Sequence, residues 1–226
     1  AIVKQLLAEP GVMVDEPRHG GDTALTVARY YGYTAIVAML EAALEFLIAA
    51  VDGNLERVRA LLDDGANVNM KNDANGRTAL YMASSQGHAD VVAALLNAPG
   101  INVNQTDKHG QTALIAASMQ GNPAIVKMLL DVPGIKVKVS DLGGNTALTW
   151  ARRYDRPAIV AMLEAANEFF EAANDGNLAR VRALLWVCGA NVNMVDKFGN
   201  TALMKASLNG RDKVVKMLLD GGADVN

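Results

Sequence analysis

The stretch Asp107–Leu130, reading DKHGQTALIAASMQGNPAIVKMLL, decides the fold. Gly110 supplies a turn conformation that other residues reach only with strain. Two residues on, Thr112 is a good helix N-cap, its hydroxyl accepting an orphan backbone N–H. The apolar positions that follow recur at helical period for two short turns. Gly121 then ends that helix. Pro123 stands where a second helix begins, at the first-turn position that tolerates proline. Ile125–Leu130 forms the apolar stripe that this second helix buries. The local structure read from these residues is helix–turn–helix.

The same reading applies along the whole chain. Thr-Ala-Leu occurs at Thr23, Thr78, Thr112, Thr146 and Thr201, each two residues after a glycine: Gly21, Gly76, Gly110, Gly144 and Gly199. Thr78, Thr112 and Thr146 are 34 residues apart. The later glycine recurs at Gly32, Gly87, Gly121 and Gly210, with Asp155 in its place after Thr146. Runs like Ile125–Leu130 recur at Val91–Leu96 and Val214–Leu219, and Pro157 repeats the role of Pro123. GANVN segments at Gly65–Asn69 and Gly189–Asn193 close the unit. A fixed period of this size marks stacked supersecondary units, each unable to bury its apolar face alone. Each unit is a helix–turn–helix followed by an extended, hairpin-like loop.

The pattern D-x-x-G-x-T-A-L, then Ala, Gly, V-V-x-x-L-L and G-A-N-V-N resembles the ankyrin repeat, over nearly the whole chain. The family usually has Pro after the Thr; all five copies here have Ala, which keeps a good helix former. The Asp before the turn is present at Asp73, Asp107, Asp141 and Asp196, whereas Arg18 takes that place before Thr23. The resemblance implies an all-α class, an α-solenoid of ankyrin-type repeats with β-hairpin loops. It also implies a non-enzymatic module or scaffold for protein–protein interaction.

Two units lack the Thr-Ala-Leu start. Near Leu44–Gly53 the chain reads LEFLIAAVDG, and near Asn167–Gly176 it reads NEFFEAANDG. They begin 21 residues after their predecessors, so the hairpin is absent and the helices join through Glu41–Ala43 and Glu164–Ala166. Such a junction either fuses two helices into one or changes the angle between repeats, bending the array. The two hairpin-less junctions are 123 residues apart, as are the copies of AIVAMLEAA at Ala35–Ala43 and Ala158–Ala166. Counted from first-helix starts, the repeats are 23–43, 44–77, 78–111, 112–145, 146–166, 167–200 and 201–226, after a partial unit at 1–9. Together they form one array over 1–226, with 1–103 duplicated as 124–226. Ala1–Leu7 reads as an uncapped second helix, the expected mark of a slice from a longer array or of ends that pair with copies of the chain in a filament or ring.

A net charge of -3 gives no electrostatic reason to expect nucleic acid or an acidic membrane surface as partner. Aromatics make up only 5%, so the interior must be built from Ala, Leu, Val, Ile and Met. One cysteine, Cys188, precludes an intrachain disulfide framework, and its place suits packing or a loop. This agrees with an intracellular, cytoplasmic setting. Ala35–Val51 is apolar enough to suggest a membrane span, but it carries Glu41 and Glu45 and reads as a buried solenoid helix. No metal-ligand spacing, phosphate-cradling glycine motif or Ser–His–Asp arrangement occurs, so no catalytic residue, metal or cofactor is expected. His88, after Gly87, is expected to satisfy backbone groups. His19 and His109 fall at hairpin tips. The NQT triplet at Asn104 matches a glycosylation acceptor but reads as loop sequence, and the GANVN asparagines read as hairpin hydrogen-bonders.

What remains is surface. Hairpin tips and the outward sides of first helices form one concave face in this architecture. The tip candidates are Ala74, Asn75, Arg77, Lys108, His109, Gln111, Leu142, Asn145, Lys197, Phe198 and Asn200. On the first helices they are Tyr30, Tyr31, Ser85, Gln86, Met119, Gln120, Arg153, Tyr154, Leu208 and Asn209. Exposed Tyr, Arg and Phe on a rigid face are the residue types that make binding hot spots.

Overall fold

The computed structural model describes residues 23–72 and 74–225. The partial unit at 1–9, and with it Arg18, His19, Gly21 and Asp73, lies outside the described residues. The chain divides into two compact units, Ala1–Ala113 and Leu114–Asn226.

Among the described residues of the first unit the helices are α1 (Ala24–Tyr30), α2 (Thr34–Asp52), α3 (Leu55–Asp63), α4 (Ala79–Gln86) and α5 (Ala89–Leu96). The second contains α6 (Ala113–Gln120), which begins at the boundary, and α7 (Pro123–Leu130), α8 (Ala147–Arg153), α9 (Pro157–Asp175), α10 (Leu178–Trp186), α11 (Ala202–Leu208) and α12 (Asp212–Asp220). Short helices alternate with tight turns, as the repeat spacing predicts. Thr23, Thr78, Thr146 and Thr201 cap their helices, each hydroxyl accepting the backbone N–H three residues on. Pro123 and Pro157 occupy first turns. Asp155 has φ +51, doing in an L residue what glycine does elsewhere.

Among the described helices the two exceptions to short length are α2 and α9, each 19 residues. Where the hairpin is missing, the second helix of one repeat continues as the first helix of the next. The joining residues, Glu-Ala-Ala in both, are helix formers with nothing to stop the turn. Within α2 one part packs on α1, and the helix also meets α3 and the next first helix, α4. Likewise α9 contacts α7 and α8 on one side and α10 and α11 on the other. Phe46, Ala49 and Ala50 of α2 are buried, as are Phe169, Phe170 and Ala173 of α9. Each buried Phe contributes about 1.5–3 kcal/mol. Among the described helices α2 is long and apolar enough to cross a membrane, with 33% of its apolar window buried. It packs as a repeat helix, though Ile48 and Val51 remain exposed.

The hairpins are minimal. Each hairpin among the described residues closes on one antiparallel bridge: Lys71 to Thr78, Thr106 to Thr112, Ser140 to Thr146 and Val195 to Thr201. Across the hairpin-less junction of the second unit, Lys136 pairs in parallel with Val195. The Val195 N–H donates to Ile135 O at 2.9 Å and the Val137 N–H to Val195 O at 3.2 Å. The loops before and after the fused helix thus meet directly.

Candidate functional site

The hairpin tips are built on buried aspartates. Asp107 Oδ1 accepts the backbone N–H groups of His109 and Gln111, both at 2.9 Å. Asp196 Oδ1 accepts those of Phe198 and Asn200, also at 2.9 Å, and Lys205 Nζ lies 3.0 Å from Oδ2. Asp141 Oδ1 accepts from Asn145 N at 2.8 Å, while Trp150 Nε1 donates to Oδ2 at 2.8 Å. Burial pushes the Asp141 and Asp196 carboxyls up. The N–H groups aimed at them, and Lys205 beside Asp196, outweigh it and hold both below the ordinary value. In the hairpin before Thr78, Asn72 supplies the acceptor, taking the Arg77 N–H at 2.8 Å.

These hydrogen bonds separate the candidate residues into two groups. Tyr30, Tyr31, Gln86, Lys108, His109, Gln120, Leu142, Arg153, Tyr154, Lys197 and Phe198 are exposed. Asn75, Arg77, Gln111, Met119, Asn145 and Asn200 are half-buried. Several of these serve the scaffold. Asn145 and Asn200 direct their amides onto Asp141 and Asp196. Arg77 lies over the Tyr81 ring and reaches Asp107, and Gln111 accepts from the Tyr81 hydroxyl at 2.8 Å. The Asn75 carbonyl accepts from Lys108 N at 2.8 Å.

The exposed group makes local clusters. In the first unit Tyr30 meets Tyr31 edge-on at 5.1 Å, and Tyr31 stacks on Tyr33 at 5.8 Å. In the second unit Trp150 stacks on Tyr154, Arg153 lies 5.1 Å over Trp150, and Lys197 lies 4.9 Å over Phe198. Leu142, Phe198 and Leu208 are 81%, 77% and 86% exposed. Met204 and Trp150 belong to this surface and were missed. The signal was available: the third and fourth residues after each capping Thr vary among copies while the framework around them repeats.

A second missed feature brackets each fused helix. Arg29 pairs with Glu41 at 2.7 Å, and Arg57 grips Glu45 through two nitrogens at 2.6 Å. One period later Arg152 pairs with Glu164 at 2.7 Å and Arg180 grips Glu168 the same way. Hydrogen bonding from the arginine lowers the carboxyl pKa of Glu45 and Glu168. The recurrence of all four residues at a spacing of 123 was legible in the sequence.

Other polar residues have structural partners. His88 Nε2 lies 2.8 Å from Val51 O. Asn69 bridges to Gly100 O and Asn102 N, and Asn191 Nδ2 donates to the carbonyls of Leu130 and Val132. Cys188 is exposed in the loop after α10. Among the described residues no three His, Cys, Asp or Glu side chains are grouped to hold a metal ion.

Family profiles for ankyrin repeats match residues 46–96 (many copies) and residues 99–168 and 169–226 (3 copies). The chain belongs to the ankyrin-repeat family. Ankyrin repeats are generally protein–protein interaction modules, typically without enzymatic activity. The chain is also similar to Ankyrin repeat domain-containing protein 29 of Danio rerio, with 44% identity over 61 residues. That match covers 27% of this chain and 20% of the relative's length.

Proposed function

We propose that this ankyrin-repeat chain binds a protein partner on the surface formed by its hairpin tips and first helices. The observation that carries the reading is the composition of that surface in the second unit. Leu142, Tyr154, Phe198, Met204 and Leu208 are all exposed there, beside Arg153 and Lys197. The carboxylates of the same turns, Asp141 and Asp196, are buried within the hairpins. Apolar and aromatic side chains with cations at the rim suit a partner that offers apolar anchors and carboxylates.

Quantitative affinity capture tests this reading. Proteins retained by the wild type are compared with those retained by a Phe198→Ala/Leu208→Ala double variant and by Lys216→Ala, which changes an exposed second-helix residue. The expected result is a partner set kept by Lys216→Ala and lost by the double variant. Equal retention by all three chains would refute the assignment of this surface.

A further inference from the structure

Three sulfur-bearing side chains line one cavity of about 240 Å³ in the second unit: Met162, Cys188 and Met194. They come from separate segments. Met162 stands on α9, Cys188 in the turn after α10, and Met194 where the next hairpin begins. The space exists because its other walls are small, with Ala165 and Ala166 of α9 on one side and Ala190 on another. Exposure grades across it: Met194 is buried, Met162 half-buried and Cys188 exposed. The thiol therefore stands at the open side and a thioether at the closed one. The turn that carries the thiol is pinned, since the Cys188 N–H donates to Ala183 O at 3.1 Å and the Ala190 N–H to Leu184 O at 2.9 Å.

The harder donors on this cavity are committed elsewhere. Asp131 pairs with Lys127, and the Asn191 amide donates to the carbonyls of Leu130 and Val132. What is left is one thiol and two thioethers. Such donors select soft ions, copper(I) among them, over ions that prefer oxygen or nitrogen. Charge makes the same selection. Copper(I) on one thiolate and two neutral thioethers is neutral, so an apolar pocket can hold it without an unpaired buried charge. Zinc(II) on the same donors would keep a net positive charge.

The near-duplicate first unit isolates what is particular to this cavity. AIVAMLEAA supplies Met39 there as it supplies Met162 here, and GANVNM supplies Met70 as it supplies Met194. Between RVRALL and GANVNM the first copy has Asp63-Asp64, and the second has Trp186-Val187-Cys188, one residue more. The chain's one cysteine thus falls beside the repeated methionine pair.

We propose that Met162, Cys188 and Met194 bind one copper(I) ion. On binding, the Cys188 S–H bond is replaced by an S–Cu bond and the proton passes to solvent, with no change of oxidation state. The flexible thioethers turn onto the ion. The site is separate from the hairpin-tip and first-helix face, so either assignment can fail alone.

The test is anaerobic titration of the full chain with copper(I) held by bicinchoninate, a chromogenic competitor. Circular dichroism verifies folding and light scattering gives the mass. The wild type is expected to take one equivalent of copper(I) from the competitor at unchanged mass. Cys188→Ser should abolish that binding. Met162→Leu and Met194→Leu nearly conserve side-chain volume. Each should weaken binding by at least about tenfold, the lower end of what loss of a mere outer-shell partner costs a metal site. Met204→Leu, at an exposed methionine away from the cavity, should leave it unchanged, and zinc(II) should not compete. X-ray absorption of the loaded wild type needs no variant and should show sulfur ligands alone. A wild type that takes no copper(I) from the competitor overturns the proposal. So does binding undiminished in both methionine variants, which would leave the thiol acting alone. Nitrogen or oxygen ligands on the ion, or a doubled mass on loading from an ion bridged between two chains, overturn it equally.

Discussion

Asp141 shows how one side chain holds a hairpin tip in shape. Its carboxylate gathers a backbone N–H and an indole N–H in a place where water is mostly excluded. Replacing it with Asn removes the charge that strengthens these bonds, at a cost of about 1.5–3 kcal/mol. The pH dependence has a definite sign. The folded-state pKa lies below the ordinary 3.8, so the aspartate's contribution is complete above that value and is lost as pH falls through the folded-state pKa. Thermal melts of wild type and Asp141→Asn should therefore differ most near neutral pH and converge in acid, below about pH 4. Gly53 illustrates the opposite economy. Its φ is +71, and a Cβ there would lie 2.6 Å from the His88 ring, which is held near Val51 O. Glycine is needed there for both space and backbone conformation.

At the scale of elements, the fused helix is the chain's departure from its own repeat. Helices α2 and α9 each serve two repeats, and the Arg–Glu pairs tie the middle of each to the helices before and after it. These pairs are substantially exposed, so they orient the helices more than they stabilise them. Stability comes from buried residues such as Leu163, Ala166 and Phe169. Ala165 lies where a break between repeats would otherwise fall. Because α9 is continuous, Ala165→Pro removes an interior hydrogen bond and costs about 3 kcal/mol or more. Chemical denaturation of that variant should show a correspondingly lower midpoint. A chain with separate helices at this point would tolerate the change, as it tolerates Pro157.

For the whole molecule, net charge sets the repulsion between copies in solution. The pI of about 5.6 arises from 24 acidic against 21 basic residues. Repulsion between copies is weakest there, so solubility should pass through a minimum near pH 5.6 and recover on either side. Turbidity across a pH series measures this directly.

Period, caps and breakers determined the repeat architecture without any structure. Thr before Ala-Leu, glycine before and after, and proline in the first turn act through local backbone chemistry, which depends on neighbours in the chain. The shortened spacing at Glu41–Ala43 and Glu164–Ala166 likewise marked where a hairpin is lost. Tertiary structure alone decided that the helices there fuse rather than turn. It also decided that Asn145, Asn200, Arg77 and Gln111 are engaged in the scaffold rather than standing free at the tips. Both outcomes depend on which groups meet across space. A helix end is extended or stopped by what packs beside it, and a polar side chain at a tip is committed once a buried partner lies within reach. The parallel pairing of Lys136 with Val195 has the same origin, because it joins loops that sequence separates and the absent hairpin brings together.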